Sequence, residues 1–249
     1  MSPKSRFTNA NGIAHHYLDF GSEGKPSLIC LHGLTRNARD FDSVGRTLSP
    51  YYHVRAVDVR GRGDSSWGKP DQYRLSTYVE DLLALVGEWN VRSTSIIGTS
   101  MGGLIALLFA ARETDRVKRI VLNDIGPEID PVGLDRILNT VCLTPGVNLD
   151  PAVCSEARRE PRQIAPNLWG ELLRTKADLL VFRGAQSDVL SREVCLLMAD
   201  GNPHCRWVEV PGVGHPPSLS EPEAIRALRE FLHLPLIHRS NHESLEYAE

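Results

Sequence analysis

The stretch Ile96-Ile97-Gly98-Thr99-Ser100-Met101-Gly102-Gly103 decides how the rest of this chain is read. A short β-branched run leads into Gly98-Thr99-Ser100-Met101-Gly102, a G-x-S-x-G pattern. Leu104–Arg112, apolar at nearly every position, follows it. Strand, sharp turn and helix in that order are the setting a nucleophile elbow needs. The turn lifts the serine hydroxyl above the sheet edge, and glycines on either side let strand and helix approach. Ser100 would also sit at a helix N-terminus, where the dipole favours developing negative charge. A helix-capping serine beside a Gly-rich turn would account for the same residues without chemistry. The rest of the chain decides between the two readings.

Working outward, short apolar runs at Ser27–Leu31, His53–Val59, Thr94–Gly98, Val117–Asn123, Leu179–Arg183 and Arg206–Val210 read as strands. Several are continuously apolar, as strands buried on both faces are. Helical periodicity lies between them at Asp40–Leu48, Leu75–Glu88, Met101–Arg112, Ser191–Ala199 and Pro222–Leu232. The alternation predicts an α/β fold: an open, mostly parallel sheet covered on both faces, with His15–Phe20 as an early antiparallel strand. Gly126–Lys176 interrupts the pattern. It carries six prolines, no clear strand and only short helical candidates at Leu134–Val141 and Leu168–Leu173. The segment after Pro235 is polar and is expected to fray.

A serine hydroxyl needs a base. His215, in Gly212-Val213-Gly214-His215-Pro216 just beyond the last strand, is the candidate among nine histidines. The histidine in turn needs an acid to fix its tautomer. Asp188, in the polar turn after Leu179–Arg183, is preferred. Asp124, in Asn123-Asp124-Ile125-Gly126-Pro127 one strand earlier, is the competitor. The order Ser100, Asp188, His215 is that of one known triad arrangement.

Composition narrows the classes. The chain has 249 residues, 41% hydrophobic and 24% charged, with a net charge of −3. That excludes a mainly disordered chain and gives no electrostatic reason to bind nucleic acid or an anionic membrane. No apolar run reaches the roughly 18 residues of a membrane span. The N-terminal residues lack the apolar centre of a secretory signal. Five scattered cysteines without a C-x-x-C argue against a disulfide framework or a zinc site, so a reducing cytoplasm is the expected location. No metal, no cofactor and no phosphate-binding loop is expected. The Arg62-Gly63-Asp64 tripeptide reads as a coincidence rather than an adhesion signal.

With these motifs in hand, the chain resembles the α/β-hydrolase superfamily, in its branch of small bacterial esterases, enol-lactonases and haloperoxidase-like proteins. Leu31-His32-Gly33-Leu34 resembles the family's oxyanion loop. Asp58-Val59-Arg60-Gly61-Arg62-Gly63-Asp64-Ser65 resembles its D-x-R-G-x-G-x-S turn. The resemblance implies an eight-stranded sheet, with a core at 1–125 and 177–235, a shortened helical cap at 126–176 and a tail at 236–249. It implies oxyanion donors in the backbone N–H groups of Leu34 and Met101, a loop-ordering role for His32, and a bracing role beside the site for Arg60. A serine nucleophile implies an acyl-enzyme, hence a small ester or lactone as the partner molecule. Carbon–carbon cleavage of ring-fission products and ligand binding with little turnover stay open as alternatives. Either a monomer or a homodimer is compatible. Leu134, Ile137, Leu138, Val141, Trp169 and Leu172 either line the pocket or pack the cap onto the core.

Overall fold

In a computed structural model, which describes residues 2–143 and 148–234, eight strands form one sheet in the order β1-β2-β4-β3-β5-β6-β7-β8. They are β1 (Lys4–Ala10), β2 (Ile13–Phe20), β3 (Ser27–Leu31), β4 (His53–Val57), β5 (Thr94–Thr99), β6 (Val117–Asn123), β7 (Asp178–Gly184) and β8 (Cys205–Val210). The first two pair antiparallel, and β2 joins β4 antiparallel; the pairs from β4 through β8 are parallel. The α-helices are α1 (Asp42–Leu48), α2 (Leu75–Glu88), α3 (Met101–Arg112), α4 (Pro131–Asn139), α5 (Pro151–Arg159), α6 (Trp169–Arg174), α7 (Arg192–Gly201) and α8 (Pro222–Phe231). None among the described residues is long and apolar enough to cross a membrane. The polar tail from 236 lies outside the described residues.

Side-chain alternation along the strands builds two cores. Ile29, Leu31, Ile96, Ile120, Leu122, Leu179 and Val181 face α2, α3 and α7. Their neighbours Leu28, Cys30, Ile97, Val121, Leu180 and Phe182 face α1 and α8. Helix α3 packs at the centre of the first core and is buried almost all round, which is why its sequence shows no polar face. All five cysteines are buried and unpaired, as small apolar side chains are.

Two elements escaped the sequence pattern. Strand β1 is mostly exposed and polar, an edge strand whose only strong signal is the turn after it. Asn11 and Gly12 both have positive φ, at 45° and 79°, as a two-residue hairpin requires. Helix α5 lies in the proline-rich segment. Asp150 caps it by accepting from the Ala152 N–H, and Pro151 occupies its first turn. Asp130 and Pro131 open α4 in the same way. These prolines start helices rather than break them.

Candidate active site

The register fixes where each strand ends. Thr99 pairs with Asn123, and Asn123 with Phe182. The residues just beyond β5 and β6 are therefore neighbours, and they are Ser100 and Asp124. Both have left-handed backbones, with φ of 52° and 57°. A non-glycine residue in that region is uncommon, and two side by side mark the C-terminal sheet edge as a constructed site.

The elbow around Ser100 needs its glycines. A Cβ on Gly98 would lie 2.4 Å from the Gly102 carbonyl oxygen, and one on Gly102 would lie 2.0 Å from the Leu31 carbonyl oxygen. Helix α3 can start against β3 and β5 only where side chains are missing. The serine hydroxyl stands 3.0 Å from His215 Nε2. His215 Nδ1 is 2.8 Å from a carboxylate oxygen of Asp124, which is completely buried. The other Asp124 oxygen accepts from the Gly184 N–H at 2.9 Å. A carboxylate only accepts, so Nδ1 carries the proton and Nε2 is left to accept from Ser100. Asn123 ties the histidine loop to β6 by donating to the Pro217 carbonyl at 2.9 Å.

The expected acid, Asp188, is not the partner of His215. Its carboxylate is held by Arg136 of α4, at 2.5 and 2.7 Å. This guanidinium keeps Asp188 below the usual carboxylate range. The physical reason is placement. Asp188 lies in the turn beyond β7, two strands from β5, whereas Asp124 leaves β6 directly beside Ser100. Residue order alone could not separate the two, but adjacency to β5 could.

The backbone groups of the expected oxyanion loop are oriented by two buried side chains. His32 donates from Nδ1 to the Gly33 carbonyl at 2.7 Å and accepts at Nε2 from the Val59 N–H at 3.0 Å. Full burial lowers its pKa to about 4, so it is neutral, with no hydrogen-bonding capacity to spare for chemistry. Because the Gly33 carbonyl points at His32, the Leu34 N–H on the far side of that peptide plane points away from it. Met101 opens α3, so its N–H has no intrahelical acceptor. Ser100, His215, Leu34 and Gly33 share a cavity of about 600 Å³, which Ile137 and Val141 help to close. Leu134 and Trp169 pack against the core, and Leu138 and Leu172 are buried in it.

The family model for the alpha/beta hydrolase fold matches residues 26–141. A 3-hydroxybutyrate-oligomer hydrolase from Cupriavidus necator is 33% identical, over 86% of this chain and 91% of its own length. This chain belongs to the α/β-hydrolase family. An α/β hydrolase from Novosphingobium aromaticivorans superposes with a TM-score of 0.80 at 30% identity, covering 93% of this chain and 98% of that one. An N-formylmaleamate deformylase from Pseudomonas putida is 35% identical over 47% of this chain and 43% of its own. The reaction class that goes with this membership is hydrolysis.

Within this α/β hydrolase the two arginines of the Asp58–Ser65 turn divide their work. Arg60 grips Asp81 of α2 at 2.6 and 2.8 Å and the Asn11 carbonyl at 3.0 Å. It therefore braces the β1–β2 hairpin rather than the loops beside Ser100. Arg62, which the sequence did not single out for the site, does that. Fully buried, it donates to the Leu34 carbonyl at 2.9 Å and lies 3.4 Å from Met101 Sδ, touching both residues expected to supply oxyanion donors. Its burial also removes the Arg62-Gly63-Asp64 tripeptide from any surface role. Among the described residues one group has metal-ligand chemistry: His16, Asp58 and Asp64. Asp58 already accepts from His16 and from the N–H groups of Ala38 and Asp64. Those bonds outweigh the burial that would raise its pKa and hold it low. The group staples β2 to the loop beyond β4.

Proposed function

We propose that this α/β hydrolase cleaves small carboxylic esters through an acyl-enzyme, with Ser100 as nucleophile, His215 as base and Asp124 as the residue that orients it. The observation that carries the reading is the unbroken relay at the cavity wall: 3.0 Å from Ser100 Oγ to His215 Nε2, then 2.8 Å from Nδ1 to Asp124. As Ser100 Oγ bonds to the ester carbonyl carbon, His215 takes its proton, and Asp124 stabilises the imidazolium. The charge on the carbonyl oxygen is received by the N–H groups of Leu34 and Met101, each worth about 3 kcal/mol in the transition state. Collapse of this intermediate breaks the bond to the alkoxide, which leaves with the proton from His215. Water then repeats the cycle on the acyl-serine.

An oligomer of 3-hydroxybutyrate is joined by ester bonds, so the relative from Cupriavidus necator favours ester over carbon–carbon cleavage. The test is turnover of 4-nitrophenyl acetate and butyrate by wild type and Ser100→Ala. Ser100→Ala should lose at least about a thousandfold in kcat with an unchanged melting temperature. Residual activity above about 1% of wild type would remove Ser100 as nucleophile. No turnover by the wild type, together with no labelling of Ser100 by a fluorophosphonate, would point to a binding protein.

A further inference from the structure

The cavity beside Ser100 has an unusual charge arrangement. Arg36 and Arg39 come to it from the loop after β3 and Arg136 from α4, while Asp40 is the one carboxylate in its lining. Two of the three guanidinium groups are matched. Arg36 holds Asp40 at 2.6 to 3.1 Å, and Arg136 holds Asp188. Arg39 is not matched in this way. Its ion-pair partner is Asp42 at 3.7 Å, and that carboxylate is also shared with Arg46 at 3.6 Å. One carboxylate between two arginines leaves positive charge over at Arg39, whose side chain is 64% exposed. The same cavity that holds this charge and the serine is lined by the apolar side chains of Leu34, Phe41, Ile137 and Leu219.

Such a cavity suits a ligand with a short apolar body, an ester at one end and an anion at the other. We propose that Arg39 is a specificity-determining residue that binds a free carboxylate on the substrate, so the preferred substrates are short esters bearing a carboxylate. Arg36 and Arg136, held by their own aspartates, shape the rim. This inference rests on the ester-hydrolase reading above and narrows its substrate class. A guanidinium offers two parallel N–H donors to a carboxylate, a match that neither a neutral acyl tail nor a lysine reproduces.

Two experiments test it, one of them independent of turnover. The first compares kcat/KM for mono(4-nitrophenyl) succinate with that for 4-nitrophenyl butyrate, which resembles it without the charge. Wild type should prefer the succinate at least about tenfold, the scale of one charge-assisted hydrogen bond. The preference should appear mainly in KM and shrink in high salt. Arg39→Gln should bring the ratio close to one and Arg39→Lys should restore part of it, while Arg112→Gln on α3 should leave it as in wild type. The second measures binding of monomethyl succinate and methyl butyrate to Ser100→Ala by calorimetry, with and without Arg39→Gln. Tighter binding of the succinate that depends on Arg39 supports the subsite even if no ester is turned over, which would overturn only the catalytic reading. Equal handling of the two esters by wild type, or a preference that survives Arg39→Gln, would overturn the proposal.

Discussion

The ends of β6 and β7 present two aspartates at the same edge of one sheet, and they have opposite fates. Asp124 follows β6 immediately, is completely buried, and accepts from His215 and from the Gly184 N–H. Asp188 stands four residues beyond the end of β7, is partly exposed, and is occupied by Arg136. The end of β7 still serves the site, but as a donor: its last residue, Gly184, holds the carboxylate that its neighbouring strand supplies. A carboxylate orients a histidine only when nothing stronger claims it. Near Asp188 a guanidinium does. Near Asp124 the donors are one backbone N–H and the imidazole.

The largest expected effect breaks this comparison open. Asp124→Asn should lower kcat by about 10³–10⁴ with little change in KM, because the amide both favours the wrong tautomer and fails to stabilise the imidazolium. Steady-state kinetics on 4-nitrophenyl butyrate measures it, and a loss below tenfold would return the role to Asp188.

That contrast also shows what the sequence could carry. The meeting of Ser100 and His215 was legible because each lies in a motif with its own local signature: a strand–glycine–serine–glycine turn, and a histidine between glycine and proline. Helices α2 and α3 were legible to the residue, since their apolar faces are continuous. The carboxylate that meets His215 was not, because two aspartates follow two consecutive strands and the choice depends on which strand lies beside β5. The arginine at position 136 that occupies Asp188 comes from α4, in the least patterned segment. Strand β1 was hidden by its polarity, although Asn11-Gly12 marked its turn. Helix α5 was hidden by prolines that open helices here.

A third strand end separates support from chemistry. His32, after β3, is buried and neutral, with a pKa lowered to about 4. The unfolded chain takes up this proton near pH 6.5, so the folded state is favoured fully above that value and loses stability as pH falls toward 4. The loss should be about 2 kcal/mol by pH 5 from this group alone. Urea unfolding of wild type and His32→Asn at pH 7 and pH 5 checks it: the variant is less stable at pH 7 but should show a shallower loss. Equal slopes would contradict the burial argument.

The smallest effect sharpens the comparison from the other side. Asp188→Asn removes a partly exposed ion pair with Arg136, worth about 1 kcal/mol or less. Activity on 4-nitrophenyl butyrate should fall less than about threefold, the rate equivalent of that energy being under tenfold. Melting temperature and kcat, measured on the same preparation, separate a loosened α4 from a damaged relay.

The most direct test reads the hydrogen bond itself. An imidazole Nδ1–H bonded to a buried carboxylate gives a far-downfield proton resonance, which can be assigned to His215 by its disappearance in His215→Gln. The account predicts that this resonance persists in Asp188→Asn and is lost or strongly shifted in Asp124→Asn. A resonance that survives in Asp124→Asn and vanishes in Asp188→Asn would contradict it.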